Sequence, residues 1–414
     1  MSTFAHAISH VRKYRQKHWL LYIFSFHTFF ISTFIGIIAY MIPIVFLRHG
    51  LSQTEIGLLI ASSAVIGAIF DIILAKVLSS TYYRHLYLFL SALCFLIIAL
   101  MWTASSISMF FMIAAATGLF YDIFQIGTFD FVSREMQPQE HASSFGVINV
   151  LKSLGLMIAP LALAFSFSHH SSSTPYWNAL LWAGMSMAFF ALLIRVKDTN
   201  DKKKDRTEKP HYKKMNFLLE LHLWVKIGKQ LLPVLLFTFI LGANISFFWT
   251  LAPLFSEQMR SAGLSSALFI PAYILPTLLV GWFVGPVTKT FGKKNTAYWS
   301  FIVGSIILGC VAFVQESNHI VLIACLSSIF GAFSNPALSG AFADYLSETP
   351  DYEKDIDSLG DFFTNLGAIC GPIAGGVLAD AVGIQKAFSL FSIFSILMTL
   401  WIIKKSPKKI TISP

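Results

Sequence analysis

Four ionisable residues lie inside long apolar runs of this sequence, where their side chains could carry chemistry. They are His27, Asp71, Asp122 and Lys152. At 1.5 Å per helical residue, His27, Asp122 and Lys152 lie about 13 Å from the near ends of the apolar helices predicted below. Asp71 lies about 10 Å from the near end of its helix. Ionisable side chains at such depth usually relay protons, bind substrates or ions, or pair with one another.

The composition shows what kind of element must position these residues. Apolar residues make up 56% of the 414 residues and charged residues 12%, against roughly 45–50% and about 25% in soluble domains. With a mean hydropathy of +0.68, the chain cannot bury its apolar side chains in a water-soluble globule. We therefore expect an all-α polytopic membrane protein, which excludes an ordinary soluble enzyme, a disordered chain and a disulfide scaffold.

No metal, cofactor or nucleic acid is expected as a partner. The four cysteines fall in apolar runs, and the sequence has no CxxC motif and no His/Cys cluster with metal-ligand spacing. A nucleotide-binding GxxxxGK[ST] motif is also absent. The net charge of +9 is dispersed between apolar runs instead of lying on one face. The expected partners are a lipid bilayer and a small-molecule substrate.

Twelve apolar windows are long enough to cross a bilayer, which takes about 20 residues each. Six lie within 19–196 and six within 230–404, with a central linker at 197–229 and tails at 1–18 and 405–414. Of the 30 Lys and Arg residues, 26 lie on the side of the tails, which predicts that both tails and the linker are cytoplasmic. Helical spacing of apolar residues beside lysines predicts an interfacial helix at 217–229.

The two halves carry similar residues at a nearly constant separation of 210 to 214 positions, which indicates a duplication. The matching positions include Pro43 with Pro253, Asp122 with Asn335, Asp130 with Asp344, and Gly155 with Gly367. Six plus six spans with a cytoplasmic linker resemble the major facilitator superfamily, which is built from two such repeats. The resemblance covers nearly the whole chain and implies two six-helix bundles.

A loop motif after span 8 is also similar to that family. The family pattern is glycine, three residues, aspartate, a basic residue, any residue, glycine and two basic residues. The matching positions here are Gly285, Lys289, Gly292, Lys293 and Lys294, with Lys289 in place of the aspartate. The resemblance implies that these residues lie at a cytoplasmic gate.

Span 11 carries a stripe of small residues. Gly367, Gly371 and Gly375 recur every four residues, with Pro372 beside them. Such a stripe predicts that a neighbouring helix packs closely against span 11. The proline is also compatible with a moving hinge, and the sequence leaves both roles open.

The resembled fold has a central cavity lined by helices 1 and 4, among others, which implies positions for a substrate. Near the depth of Asp122, the first half offers Tyr121, Gln125 and Asn149. The second half offers only uncharged residues there, namely Asn244, Trp249, Asn335 and Asn365. The resemblance therefore implies a cavity that is charged on one wall and amide-lined on the other.

Two interpretations of Asp122 and Lys152 are open. Their depths match on adjacent helices of the family fold, so their pairing could change as Asp122 binds a proton or a substrate. They could equally form a permanent ion pair that neutralises two buried charges. His27 either takes part in proton coupling or hydrogen-bonds along its own helix, and Asp71 is either a gate residue or a packing contact.

We expect a secondary active transporter that moves a small organic solute by alternating access and draws its energy from a proton gradient. The alternatives are a non-coupled facilitator, a translocator of a lipid-like substrate and a membrane-embedded enzyme. An enzyme would need a paired nucleophile and base or a metal set, which His27 and Asp122 do not supply. We expect a monomer in the cell (inner) membrane.

The predicted orientation can be tested by labelling. Single cysteines at Lys203 and Ser172, in a cysteine-free background, should differ in their reaction with an impermeant thiol reagent added to intact cells. Because the linker is predicted to be cytoplasmic and residue 172 external, only position 172 should be labelled. Labelling of position 203 but not of position 172 would contradict the orientation.

Overall fold

The structure is a computed structural model that is helical throughout the part of the chain it describes. That part comprises residues 2–77, 82–137, 140–168, 173–197, 217–260, 264–348 and 353–406. Its α-helices are α1 Ser2–Arg48, α2 Gln53–Val77, α3 Tyr83–Thr103, α4 Ile107–Glu135, α5 His141–Ser168, α6 Thr174–Lys197, α7 Phe217–Gln258, α8 Leu264–Phe291, α9 Lys293–Gly309, α10 Ser317–Glu348, α11 Glu353–Val382 and α12 Ile384–Lys405. No strand occurs in these ranges.

The helices confirm an all-α membrane protein. Within the described ranges, eleven helices are long and apolar enough to cross a membrane. The remaining one, α8, meets the same criterion only when its two parts, Ser266–Gly281 and Phe283–Phe291, are taken together across a 71° bend. Closed backbone hydrogen bonding within each helix is what allows such segments to span hydrocarbon.

The central linker differs from the expectation of a separate interfacial helix. Residues 217–229 are helical, but they form the start of α7, which continues without a break to Gln258. Pro233 lies inside α7 without ending it, because neighbouring groups can satisfy the one carbonyl that a proline leaves unpaired. The side chain of Asp71, and Ser172 and Lys203, lie outside the described residues.

The contacts group the chain into two compact units. The first unit comprises α1 up to Ile42, α2 from Ile66, and α3 to α6. The second unit comprises the remainder of α1 and α2, from Pro43 to Val65, together with α7 to α12. The segment 43–65 therefore packs with the second unit, which the division at 19–196 did not anticipate. The reason is a set of contacts with α11, in which Asp380 accepts hydrogen bonds from the backbone N–H groups of Gln53 and Thr54 at 3.0 and 2.8 Å.

The duplication is visible in a backbone contact that each unit repeats. In the first unit, α5 packs so closely on α1 that a Cβ at Gly155 would lie 2.9 Å from the nitrogen of Thr33. In the second unit, α11 packs on α7 in the same way, and a Cβ at Gly367 would lie 2.7 Å from the nitrogen of Ala243. Such approaches require a residue without a side chain. Gly371 makes a similar approach to α7, whereas Gly375 makes ordinary contacts.

The duplicated aspartates repeat a second contact. Asp130 of α4 accepts a hydrogen bond from the backbone N–H of Tyr83 at the start of α3 (2.9 Å). Asp344 of α10 forms an ion pair with Lys293 at the start of α9 (2.6 Å). Tyr83 and Lys293 are themselves 210 positions apart. Each carboxylate thus holds the first turn of the third helix in its half.

Replacement of the packing glycine tests this interface. Gly367→Ala should destabilise the purified protein by about 1–3 kcal/mol, because the new methyl group would overlap the α7 backbone. The measurement is the midpoint of thermal unfolding in detergent.

Gly331→Ala in α10 is the matched control, since no atom in the described part of the chain lies within 4 Å of the Cβ position there. The control should be neutral or slightly stabilising, as alanine favours helix. Equal midpoints for the two variants would contradict close packing of α7 and α11.

Candidate functional site

Asp122 lies within the membrane-spanning part of α4, where its carboxylate packs against α2. The side chain is partly buried. A Cβ at Gly67 would lie only 2.6 Å from its Oδ2 atom, so the space that the carboxylate occupies exists because residue 67 has no side chain. Gly67 was not identified from the sequence, because a single glycine in an apolar helix carries no distinctive signal.

Lys152 does not form the ion pair with Asp122 that its depth suggested. Its ammonium nitrogen lies over the ring of Phe124, 5.6 Å from the ring centroid, and no ion pair of Lys152 exists among the described residues. The physical reason is angular: Phe124 follows Asp122 by two residues, which is about 200° around a helix. The two charges therefore lie at the same depth but on opposite sides of α4.

The environment of Lys152 offsets only part of the cost of a charge in the membrane. A cation–π contact contributes about 0.5–2 kcal/mol, whereas a lysine near the middle of a spanning helix costs about 2.5–3.5 kcal/mol on insertion scales. Contact with water or with an anion would lower the remaining cost. We therefore treat the surroundings of Lys152 as a candidate binding surface.

Other polar residues share that surface of the first unit. Tyr121 and Gln125 of α4 lie within about 100° of Phe124 on the helix, and both are exposed. Asn149 of α5 is exposed one turn before Lys152. We call these three residues, with Phe124 and Lys152, the α4–α5 polar surface.

His27 lies apart from the α4–α5 polar surface. It is buried, and its Nδ1 lies 2.9 Å from the hydroxyl oxygen of Ser186 in α6. Its ring packs edge-on against Tyr87 of α3 with 4.8 Å between centroids. These contacts direct His27 towards α3 and α6, whereas Asp122 contacts α2, so the structure does not bring the two together.

The second unit contains a cavity of about 350 Å³ that α7, α10 and α11 enclose. Asn335 lines it, and so do two carboxylates, Asp357 and Asp361. Asp357 was not identified from the sequence, whereas Asp361 is predicted there as a charge at the cytoplasmic gate. Their spacing by four residues, with Thr364 three further on, places them on one face of α11, which is the signal that could have identified them.

For three other residues of the second half, the resemblance implies a place at a central cavity. Asn244 is buried in α7, Trp249 is partly buried and Asn365 is exposed on α11. None of the three lines the α7–α10–α11 cavity.

The expected gate motif begins within α8 and ends in α9. Gly285 and Lys289 are exposed on α8, and Gly292 joins the helices with a positive φ of 80° that favours glycine. Lys293 forms the ion pair with Asp344 described above and also donates to the carbonyl oxygen of Gly340 at 3.2 Å. Lys294, the next residue, is partly buried at the start of α9. In the second unit the motif therefore joins α9 to α10.

Within the described residues, no group of three or more His, Cys, Asp or Glu side chains could hold a metal ion. The charged and polar groups instead line a surface in one unit and a cavity in the other, which is an arrangement for binding a solute.

Comparison with known proteins identifies the family. The family model described as Major Facilitator Superfamily matches residues 24–351 and 234–414. The chain is 21% identical over 364 residues to the Quinolone resistance protein NorA of Staphylococcus aureus, covering 87% of this chain and 90% of that one. It is 26% identical over 176 residues to the Multi-drug resistance efflux pump PmrA of Streptococcus pneumoniae, covering 40% of this chain and 43% of that one.

Solved structures show the same fold. The nucleoside transporter NupG superposes with a TM-score of 0.74 at 14% identity, covering 94% of this chain and 100% of that one. A bacterial homologue of the human lysosomal transporter Spinster gives a TM-score of 0.69 at 12% identity, covering 94% of this chain and 97% of that one. The chain is therefore a multi-pass membrane transporter that belongs to the Major Facilitator Superfamily, and it is not an enzyme.

Proposed function

We propose that this transporter exports a small organic molecule in exchange for protons, with Asp122 as the residue that takes up and releases the proton. The observation that carries the proposal is the carboxylate of Asp122 inside a spanning helix, fitted against Gly67 of α2. A carboxylate at this depth is much less costly when protonated. A change in its surroundings during transport would therefore change its affinity for a proton.

The packing of Asp122 explains how helix movement could be coupled to its protonation. Gly67 leaves just enough room for the carboxylate, so any shift of α2 relative to α4 changes the solvation of Asp122. Burial disfavours the ionised carboxylate and solvation favours it. Movement of the two helices and protonation of Asp122 are then linked, which is the requirement for a coupled transporter.

The relatives support export. NorA is named for quinolone resistance and PmrA is named as a multidrug efflux pump, and NorA matches this chain over most of both lengths. The α7–α10–α11 cavity, at about 350 Å³, falls within the range of about 300–1,000 Å³ typical of small-molecule sites. We take a quinolone as the first probe for this reason.

A non-coupled facilitator is the main competing function, and the Asp122→Asn variant separates the two. Proteoliposomes with an acidic interior should accumulate a fluorescent quinolone through the wild-type protein. A gradient of one pH unit is worth about 1.4 kcal/mol, which supports roughly tenfold accumulation for one-to-one exchange. Asp122→Asn should bring the quinolone only to equal concentrations, because its amide cannot carry a proton.

Two controls complete this test. Protein-free liposomes give the passive distribution of the quinolone. Glu316→Gln removes a carboxylate that is 61% exposed and that, among the described residues, pairs with the neighbouring His319. Glu316→Gln should accumulate the quinolone as the wild type does. Accumulation by Asp122→Asn equal to that of the wild type would contradict the role of Asp122, and equilibration without accumulation by the wild type would favour a facilitator.

Gly67→Ala tests the positioning of the carboxylate without removing it. Because the new Cβ would lie 2.6 Å from Oδ2 of Asp122, the carboxylate or α2 must move, and pH-driven accumulation should fall several-fold. Gly184→Ala in α6 is the control, since no described atom lies within 4 Å of its Cβ position. Full accumulation by Gly67→Ala, in a protein with normal expression, would show that the fit is not required.

A further inference from the structure

Lys152 is a cation in the spanning region without an anionic partner in the described part of the chain. Its ammonium group contacts the ring of Phe124, 5.6 Å from the centroid, and Asp122, the nearest acidic residue along α4, lies against α2 instead. The usual explanation for a buried lysine, a permanent ion pair, is therefore not available.

Its depth prevents the lysine from reaching the membrane surface. The spanning part of α5 runs from Ser143 to Ala164, so Lys152 lies about 14 Å from one end and about 18 Å from the other, at 1.5 Å per residue. Both distances exceed the reach of a lysine side chain. The charge must be stabilised at its own depth.

The backbone of α5 fixes where that charge lies. Gly155 follows Lys152 by one turn and packs against the α1 backbone, and Ala159 follows by one more turn and packs against Gly36. These contacts leave α5 little freedom to rotate about its axis. Lys152 is held beside Phe124. Around α4, Tyr121 lies about 60° from Phe124, and Gln125 lies about 100° from Phe124 on the side towards Asp122.

The groups around the ammonium are those that bind an aromatic anion. Lys152 supplies a positive charge with three donors, and Phe124 supplies an apolar ring beside it. Gln125 and Asn149 are exposed and add amides, and Tyr121, whose side chain is partly accessible, adds a phenol ring. A carboxylate attached to an aromatic ring would pair with the ammonium while its ring contacts the exposed side chain of Tyr121.

We propose that Lys152 binds the negatively charged group of an aromatic, anionic substrate at the α4–α5 polar surface. This inference deepens the proposed export function by naming a substrate class, and it rests on that function. The substrate supplies the counter-ion that the described protein residues do not. While the anion is bound, it neutralises the positive charge of Lys152 for part of the transport cycle.

The test uses three probes of one shape and different charge. These are 2-naphthoate, its neutral amide 2-naphthamide, and the cation 2-naphthylmethylammonium. Their dissociation constants are measured from the shift of the thermal unfolding midpoint of the purified full-length protein. Naphthoate should bind more tightly than the amide, and the cation should bind most weakly.

Variants at position 152 assign the binding to the ammonium. Lys152→Gln should fold normally, because no ion pair is broken, and should weaken naphthoate binding at least about tenfold while leaving the amide unchanged. Lys152→Arg keeps the charge and should retain most of the affinity. Lys386→Gln, which removes an exposed lysine at the start of α12, should change neither affinity.

Each outcome decides the inference. Naphthoate binding that Lys152→Gln leaves unchanged, equal binding of all three probes, or binding of the cation alone would overturn it, as would the absence of binding by naphthoate at millimolar concentration. Transport of the cation by the wild type in proteoliposomes would keep the export function while overturning the anionic substrate class. Lys152-dependent naphthoate binding without transport of any probe would support the site and contradict the export function.

Discussion

Each half of this protein has a close contact between the backbones of two helices. Gly155 places α5 against α1, and Gly367 places α11 against α7, at equivalent positions of the repeat. Because lipid competes with apolar side chains for the same contacts, helices in a membrane gain most from close approach of small residues and backbone. The two glycines therefore fix the orientation of the helices that carry the polar groups, Lys152 on α5 and the α11 face with Asp357 and Asp361.

The membrane also restricts where charged side chains can lie. A carboxylate or an ammonium inside a membrane has to be protonated, paired, solvated or bound. In the first unit, Asp122 is fitted against Gly67 of α2, and Lys152 lies against the ring of Phe124, which offsets only part of the cost of its charge. The two charges do not form an ion pair with each other in this structure. A proton on one group and a substrate on the other are the partners that this arrangement suits.

The two halves share contacts that position their helices but differ in their polar side chains. Asp130 and Asp344 both hold the start of the third helix of their half, one through a backbone N–H and the other through Lys293. In contrast, Asp122 corresponds to Asn335, which lines the α7–α10–α11 cavity. The structural contacts were kept in both copies, while the polar groups available to a substrate diverged.

The sequence predicts the spanning helices well because the length of an apolar run and the rise per residue determine whether a helix crosses a bilayer. It also predicts close approach at Gly367, because a stripe of glycines has few other uses in such a helix. It predicts that Asp122 and Lys152 lie at one depth in the membrane. It does not predict the side of the helix on which each one lies, because the rotation of a helix about its axis depends on packing partners such as Gly67 and Gly155. The same limit hid Asp357, whose position at a cavity depends on how α7 and α10 pack against α11.

The central claim is that movement of the solute and movement of protons are obligatorily linked. The most direct measurement uses proteoliposomes that contain a trapped pH indicator and no imposed pH gradient, to which a quinolone is added outside. Downhill entry of the quinolone should move protons outwards and make the interior more alkaline in the wild type, above the change in protein-free liposomes. Entry of the quinolone at the wild-type rate with no such pH change would contradict the account.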